Sequence, residues 1–164
     1  MTRYTIDPAS ATVAFNATTS LHPVVARAPV SGWLEADIAG DQFAPGSTLA
    51  GELEIAVEAI TSGNAIYDAE TRRRIDVNSH PLIRAELTAT SSVDGASATV
   101  EGNVHFHGES VLLEGELELA PDPVLTGEGT VDIRWWDLRP PSLLVFRVQP
   151  EVLITVDLPL LADG

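Results

Sequence analysis

The sequence predicts an all-β domain, an antiparallel barrel of about eight strands with one short helix near an opening. Three observations carry this reading. Apolar and polar residues alternate with a period of two over most of the chain, turn signals separate these stretches, and residues 65–76 alone break the pattern with helix-forming character. Alternation of that kind marks half-buried strands, because successive side chains leave a strand on opposite faces.

In chain order, the first strand candidates are 4–7 with 11–17, then 29–39. Over 50–60, Leu53, Ile55, Val57 and Ala59 share one face, and Glu52, Glu54 and Glu58 share the other. The spacing then predicts a helix over 65–76, with Asn64 placed to cap its N-terminus. Asp68 with Arg72 and Glu70 with Arg74 stand four apart, acid first, the favourable order along a helix. Few positions there are apolar, Ile66, Ala69 and Ile75 among them, so the helix is expected to lie across an opening rather than inside a core.

Strands over roughly 82–92, 97–107 and 110–120 follow as a meander. Asp94-Gly95 predicts a type I′ hairpin turn, and His107-Gly108-Glu109-Ser110 a type II′ turn with glycine at its first central position. Val100, Val104 and Phe106 alternate with Thr99, Glu101, Asn103 and His105, and Leu113, Leu117 and Leu119 with Glu114, Glu116 and Glu118. Strands over 127–136 and 151–158 complete the set, the last presenting Val152, Ile154, Val156 and Leu158 on one face. Between them, Arg139 to Phe146 is unusually apolar for a loop, and Pro140 and Pro141 exclude a central strand.

Some eight antiparallel strands have edges to hide, and closure into a barrel removes them. The interior of such a barrel holds packed side chains or one small ligand. A sandwich of two sheets is the competing architecture. No repeat or linker divides the chain, so one domain over 1–164 is expected.

The formal net charge is −15 and every basic residue is arginine. Such a charge repels phosphate backbones and anionic lipid surfaces, which argues against nucleic-acid binding and membrane docking. It is also what a high-salt or compositionally biased host would produce. There is no cysteine, which excludes thiol catalysis, disulfides and thiolate metal sites. The chain opens without a basic start and apolar run, and no apolar stretch reaches the roughly 18 residues of a membrane helix. No membrane insertion is expected. Cytoplasmic is the simplest location, with a mature secreted form as the alternative.

Several segments taken together resemble the YceI-like proteins. Tyr4-Thr5-Ile6-Asp7 with Val13-Ala14-Phe15 is similar to the family's first strands, and Gly32-Trp33-Leu34 to its second block. Ile60-Thr61-Ser62-Gly63-Asn64, Asp68, Arg72-Arg73-Arg74-Ile75-Asp76 and His80-Pro81-Leu82-Ile83 look like its most specific segment. Gly102 to Gly108 looks like its hairpin motif, and Asp132-Ile133-Arg134, Asp137-Leu138 and Val152 to Leu158 like its last strands. The resemblance implies a lipocalin-like barrel that binds polyisoprenoid or other long-chain lipids. The chain departs from it in two places. The export signal of many members is missing, and the helix segment is shorter than in the lipid-binding members, with Arg72 to Arg74 in place of their more apolar stretch.

On a barrel, Phe15, Leu34, Ile55, Val57, Leu87, Val100, Val104, Phe106, Leu113, Leu117, Val131, Ile133, Ile154 and Val156 are expected to point inward. They form either a filled core or the lining of an apolar cavity, and the resemblance favours the cavity. Arg72, Arg73 and Arg74 are candidates for a ligand head group, since guanidinium forks suit phosphate and carboxylate. Pairing with Asp68 and Glu70 is their other reading. His105 and His107 are expected to share a strand face with Thr99, Glu101 and Asn103, which reads as solvated exterior, and no third metal ligand is identifiable. No metal or cofactor is expected.

Tyr67, Asp68, His80 and Asp137 supply acids and bases in irregular segments, but no Gly-x-Ser-x-Gly elbow, phosphate loop or dinucleotide glycine pattern is present. The leading expectation is therefore binding or carriage of an elongated apolar small molecule, with helix 65–76 and the Leu143 to Phe146 loop as lids. An isomerase or cyclase acting in the same cavity is the alternative. A filled barrel acting as an interaction surface, with a homodimer through Trp33 or Trp136, is the third.

Overall fold

The computed structural model describes residues 1–139, 142–143 and 146–163, with Ser142, Leu143 and Phe146 described by backbone alone. The chain runs through β1 (Thr2–Ile6), β2 (Thr12–Thr19), β3 (Pro23–Pro29), β4 (Ser31–Ala36), a small β5–β6 hairpin (Ile38–Ala39 and Gln42–Phe43) and β7 (Ala50–Ala56). A 3-10 turn over Val57–Ala59 leads to the helix α1 (Ala65–Ile75). Then come β8 (Leu82–Asp94), β9 (Ser97–Phe106), β10 (Glu109–Ala120) and β11 (Val124–Asp132). A second 3-10 turn over Ile133–Trp136 precedes β12 (Ser142–Leu143), β13 (Phe146–Pro159) and β14 (Leu161–Ala162).

All ladders are antiparallel, and they close a ring. β7 to β11 pair in sequence, β11 pairs with β13, β13 with β2, and β14 with β1. β1 and β2 flank the consecutive β4 and β3, and β4 pairs with β7 to complete the circuit. Segments β1–β2, β3–β4 and β13–β14 thus act as bent staves, each broken where the partner strand changes. The strands therefore number more than the eight expected, although the class is the all-β barrel with one helix. In one half of the ring the closure is thin. The second edge of β3 makes one isolated bridge, Arg27 with Thr61, and the space beside it is spanned by the Val57–Ala59 turn and α1.

The differences from the sequence reading have local causes. The expected strand 29–39 starts earlier, at Pro23, and is divided at Val30, whose amide makes the last bond of the β2–β3 register, to the Ala11 carbonyl, before β4 turns to pair with β1 and β7. The strands expected over 50–60 and 127–136 stop at Ala56 and Asp132, where 3-10 turns take over while keeping Val57 and Trp136 buried. The two hairpin turns exchange types. Asp94 pairs with Ser97, so Gly95 (φ +62°) takes the first loop position, the type II′ pattern. Phe106 pairs with Glu109, so His107 (φ +53°) and Gly108 (φ +77°) both sit at positive φ, the type I′ pattern. Because His107 lies in that turn, it does not share the strand face of His105. Of the apolar segment before β13, Ser142 and Leu143 pair with Arg147 and Phe146, while Pro140, Pro141, Leu144 and Val145 lie outside the described residues.

One end of the barrel is plugged. Phe43, from the β5–β6 hairpin, is buried with Tyr4, Leu49, Leu119 and Leu160, and its amide donates to the Gly95 carbonyl. At the other end a smaller cluster gathers Val57, Phe106, Val131, Trp136 and Val152 beneath α1. No helix among the described residues is long and apolar enough to cross a membrane.

Candidate ligand cavity

Between the plug and the helix the barrel is hollow. An upper cavity of about 230 Å³ opens under α1, and a lower one of about 200 Å³ continues toward the plug. Both are lined by Val104, Val131 and Ile154, so they meet at that level. Their combined size falls within the roughly 300–1,000 Å³ of small-molecule sites.

Alternation places the lining. Of the residues expected to point inward, Phe15, Val57, Phe106 and Ile133 line the upper cavity along with the three shared residues. Leu34, Leu87, Val100, Leu113, Leu117 and Val156 line the lower one. Ile55 borders neither and is packed in the core. Many of these side chains, Phe15, Leu87, Val104 and Leu113 among them, are only half-buried, since they face the hollow rather than one another. Glu52, Glu86, Glu114 and Glu128 contribute to the lower wall but alternate with inward residues, and Glu52 and Glu86 meet Arg84 at 2.9 and 3.8 Å.

Sequence reasoning missed part of the wall. Val24 and Ala26 of β3, Ile60, Ile83, Trp136, Leu138, Val148 and Val152 also line the upper cavity. The lower cavity owes its space to glycine: Gly102, Gly115, Gly127 and Gly129 occupy inward positions where other strand residues would fill it. Glycine at an inward position of an otherwise apolar strand was the readable signal. Trp136 is not a surface residue. It is buried, and its indole N–H donates to the Val104 carbonyl at 3.0 Å. Trp33 lies instead beneath Arg3, whose guanidinium sits 4.2 Å above the ring.

The mouth is built by α1 and its approach. Asn64 Oδ1 accepts from the amides of Ile66 (3.0 Å) and Tyr67 (3.2 Å), which caps the helix as its sequence predicts. At the far end Asp76 adopts φ +56°, ending the helix with its amide on the Arg72 and Arg73 carbonyls. Asp68 accepts from the Ser62 amide (2.9 Å), the Ser62 hydroxyl (2.7 Å) and the Thr61 hydroxyl (2.9 Å). Partial burial pulls its carboxyl up, but those hydrogen bonds and the nearby Arg72 charge outweigh burial and hold it below the ordinary value.

The three arginines diverge. Arg73 turns outward onto Glu70 (2.8 Å), and Arg74 reaches the same carboxylate at 2.8 Å, which lowers the Glu70 carboxyl further. The expected Glu70–Arg74 pair thus forms. The Asp68–Arg72 pair does not, because Asp68 is taken by Ser62 and Thr61. Arg72 instead donates from Nη2 to the carbonyls of Glu58 (3.2 Å) and Ile60 (3.5 Å), tying α1 to the 3-10 turn after β7. Arg72 and Arg74 line the upper cavity and Arg73 does not.

The Nδ1–H of His107 donates to the Trp136 carbonyl (2.9 Å), and its ring lies tilted against His80, centroids 4.3 Å apart, while His105 meets Ser110 and Glu86. No group of three or more potential metal ligands gathers among the described residues.

Residues 4–160 match the family model of the YceI-like domain. The chain belongs to that family. Its fold is similar to BcnA of Burkholderia cenocepacia, with a TM-score of 0.79 at 16% identity, covering 93% of this chain and 98% of that one. It is also similar to a polyisoprenoid-binding domain from Saccharophagus degradans implicated in plant cell wall breakdown, with a TM-score of 0.68 at 12% identity, covering 99% and 100%. The Campylobacter jejuni YceI protein gives 0.61 at 10% identity over 82% of this chain and 81% of that one. No curated protein sequence matches the chain.

Proposed function

We propose that this YceI-like barrel binds and carries an elongated apolar small molecule, isoprenoid or otherwise lipid-like, threaded from the mouth under α1 toward the plug. The observation that carries the reading is the pair of apolar cavities meeting at Val104, Val131 and Ile154. A wall with few polar groups rewards a hydrocarbon tail by about 0.8 kcal/mol per buried methylene. The polyisoprenoid-binding function of the Saccharophagus degradans domain, a structural neighbour, supports the same ligand class. Catalysis would need an acid or base deep in the lumen. The ionisable residues bordering the upper cavity, Tyr67, Asp68, Arg72, Arg74 and Arg139, all belong to α1 or the segment after the second 3-10 turn.

The test is a titration of the purified chain with geranylgeraniol, followed by tryptophan fluorescence and calorimetry. Trp136 borders the upper cavity, so a saturable change at one ligand per chain is expected. No heat and no spectral change up to the solubility limit would overturn the proposal.

A further inference from the structure

Resting on the carrier reading, we propose that the mouth of the barrel docks on a zwitterionic phospholipid surface, from which the passenger is drawn, and that Leu21, Ile66, Leu82 and Trp135 enter the lipid. These four large apolar side chains are 68, 69, 48 and 50% exposed. They come from four separate places: the β2–β3 turn, α1, the start of β8 and the second 3-10 turn. Three of them precede a residue of the upper cavity wall, Ile66 before Tyr67, Leu82 before Ile83 and Trp135 before Trp136. Leu21 lies in the turn between Ala17 and Val24, both on that wall. The four therefore surround the opening. The other exposed large apolar residues among the described ones are divided between the plug end (Met1 and Leu161) and the outer wall (Leu112 and Leu153). Apolar residues scattered singly over a surface need no explanation, whereas a group of them rimmed by polar residues marks an interaction site.

Their exposure is built in. Asn64 caps α1, and Asp68 ties its first turn to Ser62 and Thr61, which holds Ile66 in solvent. Trp135 stands between Arg134, paired with Asp132 at 2.6 Å, and the buried Trp136, so it is kept from turning inward. A tryptophan so presented suits the headgroup level of a bilayer, where its apolar body and its N–H both find partners. The formal charge of −15 argues against a lipid surface only if it is spread evenly, and it is not. The segments that build the mouth, 19–23, 57–82, 106–110 and 132–139, hold five of the nine arginines against seven of the 24 acids. The rest of the chain holds four arginines against 17 acids. Within the mouth, Arg73 and Arg74 share Glu70, and Arg134 takes Asp132. A near-neutral face of paired charges and apolar tips matches a zwitterionic headgroup layer, and body charges beyond a Debye length of about 8 Å are largely screened from it. An anionic layer gains little from arginines that already have their acids, and it repels the acids in excess.

The experiment is flotation of the full chain with phosphatidylcholine vesicles and with vesicles in which about a third of the lipid is phosphatidylglycerol. Binding to phosphatidylcholine is expected, and phosphatidylglycerol is expected to weaken it. Trp135→Ser and Ile66→Ser are each expected to weaken it about tenfold, the effect of withholding one large apolar side chain from the lipid. Leu161→Ser, at the plug end, is expected to leave it within about twofold of wild type. All three positions are exposed, and thermal melts check that each variant folds. No flotation with phosphatidylcholine overturns the docking surface, while titration with geranylgeraniol in the absence of vesicles decides the carrier reading separately. Flotation by a chain that takes up no geranylgeraniol keeps the docking surface and overturns its role in loading. An equal loss in Leu161→Ser overturns the placement at the mouth. Tighter binding to the phosphatidylglycerol vesicles overturns the zwitterionic surface.

Discussion

Replacing Gly115 by leucine is expected to shorten the tail that the protein accepts. Gly115 faces the lumen between Leu113 and Leu117, paired with Val100 across β9. A Cβ there would stand 3.6 Å from the Glu128 carbonyl oxygen, an ordinary contact, so the backbone need not move. The four side-chain carbons of leucine would enter a cavity of about 200 Å³ and exclude a similar number of ligand carbons. At about 0.8 kcal/mol per buried methylene, the loss comes to about 3 kcal/mol. That is more than a hundredfold in Kd, at about 1.4 kcal/mol per decade. Titration of wild type and Gly115→Leu with geranylgeraniol and with the C10 alcohol geraniol separates the cavities. The long alcohol should lose its affinity, and the short one, which the upper cavity can hold alone, should stay within about threefold. Urea denaturation should show stability unchanged or raised, because an apolar side chain fills a void. Undiminished binding of the C20 alcohol, or an equal loss for both, would refute the claim that the lower cavity holds the tail.

Three further outcomes follow from the mouth. Asn64→Ala removes the cap of α1 and is expected to cost about 1 kcal/mol, read as faster amide exchange over residues 65–75. Trp136→Phe deletes the indole donation to the Val104 carbonyl and is expected to lower stability by about 1–2 kcal/mol in chemical denaturation. Asp68 has its folded pKa depressed, so its contribution is present above the unfolded carboxylate value, about 3.9, and is lost as pH falls through the lower folded value. Asp68→Asn should therefore be less stable than wild type at pH 7, and the gap should close as the pH falls from about 4 downward. A constant gap across that range would contradict the assignment.

Much of the barrel is legible because period two is imposed by strand geometry itself: each inward residue of β9, β10 and β13 announces its partner two positions on. Helix α1 is legible for the opposite reason, as Asn64 and the Glu70–Arg74 spacing are local features that need no tertiary context. What escapes is set by neighbours. β3 reads poorly because Pro23 and Pro29 bracket a run without apolar–polar alternation, yet both prolines sit at its ends, where a missing N–H costs the ladder least. The 3-10 turns at Val57 and Ile133 continue the apolar alternation, so nothing in the pattern signals that the ladder has stopped. The turn types hinge on a one-residue register, fixed by the Asp94–Ser97 and Phe106–Glu109 pairs rather than by the turn residues alone. The cavity walls were read from apolar side chains, whereas the lower cavity is made as much by glycines that supply none. Arg72, Arg73 and Arg74 look alike in sequence, and only packing of α1 against the Glu58 and Ile60 carbonyls tells them apart.

Native mass spectrometry of the protein purified from its own host asks whether the barrel carries an apolar passenger. Carriage predicts a stoichiometric mass increment that denaturing extraction releases as a long-chain, lipid-like molecule. A chain that flies without passenger, and that stays unliganded after incubation with long-chain isoprenoid alcohols and acids, would contradict it.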